Sequence, residues 1–242
     1  MSTAPEASSA EERPGLIGRG LGVITAPRAT FEHVVAEPRW IGILAVSVVI
    51  VAVLSAALVD TDFAQRQLIE QQRNSVEAFG VTITAEMEEQ FEQGLAVAPY
   101  MTLGTTLVGI PIACLILAGI LYGVGSGFLG AQTTFVQMLA VVAHAGVIFA
   151  LQQVFVVPLN YARESILPPT TLAAFVPMLD GESFVYRLLS GVDLFYLWWL
   201  MVLSIGLAVL WRRETRPIAT TLLVVYAAIA VVIAAVRTTF GF

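Results

Sequence analysis

Five stretches of the chain carry no formal charge and are each long enough to cross a bilayer: Trp40 to Val59, Met101 to Tyr122, Phe135 to Val157, Leu194 to Trp211 and Ile218 to Val236. A helix rises about 1.5 Å per residue, so about 20 residues match the ~30 Å hydrocarbon core, where a helix satisfies its own backbone groups. The fourth stretch is the shortest, and its Trp198, Trp199 and Trp211 suit the membrane interface. Of the 242 residues, 57% are hydrophobic and 12% charged, whereas about a quarter of an ordinary soluble domain is charged. The charges also lie in blocks between the stretches instead of being interspersed along them. These features predict an all-α membrane protein of five transmembrane helices.

The segments between the spans predict its orientation and its other elements. If the spans alternate with the N-terminus inside, Arg13, Arg19, Arg28, Arg39, Arg212, Arg213 and Arg216 fall on the cytoplasmic side, and Arg66, Arg73, Arg163, Arg187 and Arg237 fall outside. The close cluster Arg212, Arg213 and Arg216 in a short loop favours that arrangement, with the C-terminus outside. No apolar core precedes Trp40, so the N-terminus is expected to be retained. All twelve basic residues are arginine, as expected of a GC-rich bacterial genome, which would place the chain in a bacterial cytoplasmic membrane.

Residues 1–20 are rich in Ala, Ser, Glu, Pro and Gly and read as a disordered cytoplasmic tail, with the membrane domain covering 21–242. From Pro27 to Glu37, Phe31, Val34 and Val35 fall at helical spacing between two prolines. The pattern is a short amphipathic helix, lying in the membrane interface or packed against the end of the bundle. Residues 60–98 hold eight acidic side chains against Arg66 and Arg73, a balance equal to the whole-chain net charge of −6. Asp62, Arg66, Glu70, Arg73 and Glu77 alternate in sign along one helical face. A second helix is expected from a Thr84 cap to about Gly94, which makes an extracytoplasmic helical hairpin.

Within the spans, three sets of residues are candidates for function. Gly119, Gly123 and Gly127 recur every four residues and would let another helix approach closely, either from this chain or from a second membrane protein. Pro111 should bend the same span. Gln137, His144 and Gln152 lie near one face of the third span, as interhelical hydrogen-bonding glue or as a polar path for a solute. Asp193 stands where the fourth span begins and reads as its helix cap, with Arg187 as a possible pairing partner. Ser126 and His144 superficially suggest an intramembrane serine protease. The glycine expected two positions before the serine is Val124, however, and no reaction centre follows. Two distant histidines and the single Cys114, in an apolar run, supply no metal ligand set, and no cofactor is implied. No basic patch marks a nucleic-acid partner.

The segment Pro27-Arg28-Ala29-Thr30-Phe31, with Pro38 just before the first span, resembles the Pro-x-x-x-Phe approach of the Yip domain (Ypt-interacting protein) family. The stretch from Thr171-Leu172-Ala173-Ala174 to Val192-Asp193-Leu194-Phe195-Tyr196-Leu197-Trp198 is similar to that family's lead into its fourth span. The resemblance covers most of residues 21–236. It implies a cytoplasmic N-terminus, five spans and a short far-side C-terminus. It also implies, for eukaryotic members, Rab-type GTPases and vesicle traffic, and for some bacterial members the company of ABC-type exporters. The long acidic insertion and short N-terminal tail depart from the eukaryotic pattern and argue against GTPase binding. The expected function is therefore a non-enzymatic membrane scaffold or accessory subunit in the lipid bilayer, engaging an ABC-type exporter, another membrane protein or a second copy of itself. A small transporter or channel using the polar stripe of the third span is the alternative.

Overall fold

A computed structural model describes residues 15–240 apart from 79 and 182. Its helices are α1 (Leu16–Thr25), α2 (Pro27–Ala36), α3 (Ile41–Val59), α4 (Asp62–Ala78), α5 (Ala85–Gly123), α6 (Phe135–Ala145), α7 (Val147–Arg163), α8 (Phe184–Ser190), α9 (Leu194–Trp211) and α10 (Thr215–Phe240). Five helical stretches are long and apolar enough to cross a membrane: α3, α5, α6 with α7, α9 and α10. Among the described residues the β-structure is one isolated bridge, between Thr171 and Asp193.

The N-terminal boundary differs from expectation. Residues 1–14 lie outside the described residues, and most of the tail assigned to 1–20 falls there. From Leu16 the chain is helical. Leu16, Val23 and Ile24 give it an apolar side, and Val23 is fully buried. Pro27, which needs no backbone donor in a first turn, opens α2 directly afterwards.

The α2 helix does not present its apolar face to lipid. Phe31 and Val34 are buried inside the bundle, with Val35 half-buried beside them. They pack against α6 and α9, in a core that includes Met138, Val141, Leu203 and Leu207. Gly206 of α9 makes room for the Phe31 ring: a Cβ there would lie 3.0 Å from a ring carbon and 2.7 Å from a Val141 methyl. A missing side chain on one helix thus receives an aromatic ring from another, which is how backbones approach closely in apolar bundles. Around this core α3 packs against α5 and α7, and α10 packs against α9.

The second helix of the polar arm does not stop near Gly94. Capped by the Thr84 hydroxyl at the Met87 amide, α5 runs unbroken to Gly123, through Pro99 and Pro111. A glycine ends a helix when the backbone turns to positive φ. The described glycines that do so are Gly80 and Gly130, and Gly94 is not among them. The arm is therefore α4 alongside the first turns of α5, joined by an Arg73–Glu88 ion pair. Gln67 anchors α4 to the loop after α7, donating to the Glu164 carbonyl at 2.7 Å and accepting from the Ile166 amide at 3.0 Å.

The third span is one membrane crossing made of two helices. Its break falls at Gly146, between α6 and α7. A side chain there would meet the Ala143 carbonyl oxygen at 3.2 Å, which accounts for glycine at the joint. The fourth span ends in a left-handed Arg212 (φ 53°), and the Arg213 amide returns to the Ala208 carbonyl at 2.9 Å. Trp211, at the end of this span, is buried, and its indole covers Gly125.

Candidate functional site

The most connected polar group in the bundle is Asp193. Its backbone position is fixed from three directions before its side chain is considered. The Leu172 amide donates to the Val192 carbonyl at 2.9 Å and the Leu194 amide to the Thr170 carbonyl at 3.0 Å, which forms the Thr171–Asp193 bridge. The Tyr226 hydroxyl accepts from the Asp193 amide at 3.2 Å and donates to the Gly191 carbonyl at 2.9 Å. The two segments singled out on either side of the fourth span's approach are thus paired in space.

The Asp193 carboxylate then caps α9. Its Oδ1 accepts from the Phe195 amide at 2.8 Å, the Tyr196 amide at 3.3 Å and the Gln152 side-chain amide at 3.2 Å. Its Oδ2 accepts from the Thr170 hydroxyl at 2.5 Å. A side chain that is only 7% exposed is here surrounded by neutral donors, the arrangement suited to an ionised, acceptor-only carboxylate at a positive helix end. Arg187, the partner considered for it, instead donates to the Arg237 carbonyl.

Asp193 borders a cavity of about 500 Å³, walled also by Gln152, Gln153, Asn160, Thr170, Tyr196 and Tyr226. A second cavity of about 380 Å³ shares Gln152, Gln153 and Tyr196 with the first, and continues between α3, α5, the bent third span and α9. Its remaining walls are mainly apolar, among them Leu44, Val48, Ile110, Leu117, Phe149 and Trp199. Tyr196 and Tyr226 stack in parallel, with centroids 6.3 Å apart and planes 5° apart.

The other expected sites fare differently. Gln137, His144 and Gln152 do not come together. Gln137 is held at the start of α6, where it completes a capping box with Thr134 and donates to the Val35 carbonyl at 3.1 Å. His144 is fully buried, with Nδ1 2.8 Å from the Ala140 carbonyl and Nε2 without a partner among the described residues. Gln152 alone reaches the cavities. The stripe is broken because Gln137 sits at the start of α6 and Gln152 beyond the Gly146 joint in α7, each committed to a different neighbour.

Gly119, Gly123 and Gly127 are exposed, and a Cβ at any of them would meet nothing within 4 Å. The close approach suggested by their spacing is not made within this chain. The glycine of this region that does accommodate a neighbour is Gly125, under Trp211, which lies off the four-residue series. Among the described residues no three His, Cys, Asp or Glu side chains come together as a metal would require.

Sequence reasoning found Asp193 and Gln152 and missed Thr170, Gln153, Tyr196 and Tyr226. The threonine lies in a loop whose pairing is long-range, and Tyr226 sits in an apolar run that reads as lipid-facing. Neither has a local signal that would mark it.

Residues 21–236 match the model of a protein family described as the Yip1 domain. Comparison with curated proteins and with solved structures gives no match.

Proposed function

Because this chain belongs to the Yip1 domain family, a family of membrane proteins, we propose that it is a non-enzymatic scaffold or accessory subunit that binds another membrane protein laterally. The observation that carries this reading is the unused glycine face at the end of the second span. Three glycines at helical spacing stand open along a membrane-crossing helix, and lipid gains nothing from glycine that a larger apolar residue would not supply. The partner is a spanning helix with its own small or flat face, belonging to an exporter-type subunit or to a second copy of this chain. The rival reading, a solute path along Gln137, His144 and Gln152, is weakened by the separate hydrogen bonds that hold Gln137 and Gln152.

Photocrosslinking from a probe beside Gly123, in native membranes, tests the scaffold reading. Gly123→Leu should reduce the crosslinked product at least about tenfold, since a leucine at a close helix contact prevents approach. The chain itself should melt unchanged or slightly higher. A Cβ at this position has open space around it, and leucine is the better helix former by up to ~1 kcal/mol. An unaltered crosslink, or a chain that is strictly monomeric and partnerless, would overturn the reading.

We also propose that the N-terminus and the 212–216 loop face the cytoplasm and the α4–α5 arm faces outward. The arginine-rich loop supports this. In a Cys114→Ala background, Ser75→Cys should react with a membrane-impermeant maleimide added to intact cells, and Glu214→Cys should react only after lysis. The reverse pattern would invert the orientation.

A further inference from the structure

We propose that the two adjoining cavities form one binding site for a single-chain amphiphile with an amine or ammonium head, the head beside Asp193 and the tail in the inner cavity. Polarity along the site has the required order. The outer part offers Asp193, Gln152, Gln153 and Thr170, and the inner part offers Leu44, Val48, Leu117 and Phe149. The two cavities share the walls Gln152, Gln153 and Tyr196, and each falls within the roughly 300–1,000 Å³ of small-molecule pockets.

The charge of the head follows from the donors around Asp193. All four are neutral, and no arginine lines either cavity, so no side chain lining the site offers a counter-charge to the carboxylate. Burying such a charge is costly unless it is paired, and an incoming cation supplies the pairing. Tyr196 and Tyr226, stacked on one another, both line the same space, and aromatic rings are the second element by which proteins hold ammonium groups. An anionic head would meet repulsion, and a neutral head would leave the carboxylate unpaired.

The tail fixes placement rather than selectivity, because the bilayer is as apolar as the inner cavity. Its seat lies at the joint of the third span. Ala143 and Gly146 line the inner cavity, and interrupted spanning helices recur at binding sites within membranes. This inference is independent of the partner-binding glycine face, none of whose three residues lines either cavity.

The test uses the full chain in maltoside micelles and dodecyl probes brominated on the terminal carbon, which quench a nearby tryptophan. The amine probe should quench Trp199 saturably, and Trp199→Phe should remove the saturable component. The carboxylate and alcohol probes should bind at least about tenfold more weakly, in keeping with a charge-assisted contact. Asp193→Asn, which keeps a capping side chain, should bring the amine probe down to the level of the alcohol. Cys114→Phe, which fills the inner cavity from α5, should abolish saturable quenching while leaving Asp193 intact, so the tail site is tested even if the Asp193 variant unfolds. Equal binding of amine and carboxylate probes, full amine affinity in Asp193→Asn, or saturable quenching retained in Cys114→Phe would each overturn the proposal. Competition by ethylamine as strong as by dodecylamine would likewise overturn the amphiphile assignment.

Discussion

Gly206→Leu is expected to lower the stability of the bundle by about 3 kcal/mol, the upper part of the range for overpacking a filled core. The added atoms would begin 2.7 Å from Val141 and 3.0 Å from the Phe31 ring. Neither neighbour is the free end of a flexible side chain: both are fully buried. Reversible unfolding in mixed micelles measures the loss, and limited proteolysis should show α1 and α2 cut first. Phe31→Ala should cost a similar ~3 kcal/mol, by leaving a void instead of a clash. Combining the two should cost less than their sum, because removing the ring relieves part of the crowding at Gly206. Were α2 lying in lipid, the two positions would be independent and their effects would add.

Asp193→Ala is expected to cost about 3 kcal/mol as well, by a different mechanism. It removes the acceptor for the Thr170 hydroxyl, the Gln152 amide and two backbone amides of α9 at once. A buried donor without an acceptor costs roughly 1–3 kcal/mol, and water in the adjoining cavity recovers part of the sum. Asp193→Asn should lose only about 1 kcal/mol, since asparagine caps a helix nearly as well. Amide hydrogen exchange gives a local readout: Phe195 and Tyr196 should exchange markedly faster in the alanine variant than in the asparagine one. Equal exchange in both would show that the carboxylate is not what holds the start of α9.

The membrane-spanning helices were legible because charge and apolarity are segregated in the sequence. The fourth span has the same limits in sequence and structure, Leu194–Trp211, since Asp193 caps one end and an arginine cluster follows the other. The joint at Gly146 was not legible: an isolated glycine in an apolar run is ordinarily absorbed by a helix, and what distinguishes it is its crowding by the preceding carbonyls. The periodicity of Phe31 and Val34 revealed an apolar face without identifying what covers it. Lipid and a protein core are both apolar, so the pattern is the same for either. The glycine series is the converse case, a spacing that suits close packing at positions that no neighbour in the chain covers. At the candidate site the cap was readable from Asp193 alone, whereas Thr170 and Tyr226 reach it through contacts across 23 and 33 residues.

The unbroken course of α5 has a mechanical consequence. Its 39 residues extend about 58 Å, roughly twice the thickness of the hydrocarbon core. The acidic arm and the glycine face are therefore opposite ends of one lever, with the membrane boundary as its pivot. A load that tilts the arm swings Gly119, Gly123 and Gly127 in the opposite sense, with no loop between them to absorb the displacement. Pro99 and Pro111, where the helix lacks a backbone donor, are compliant points along that lever, and they set how much of the tilt arrives at the far end.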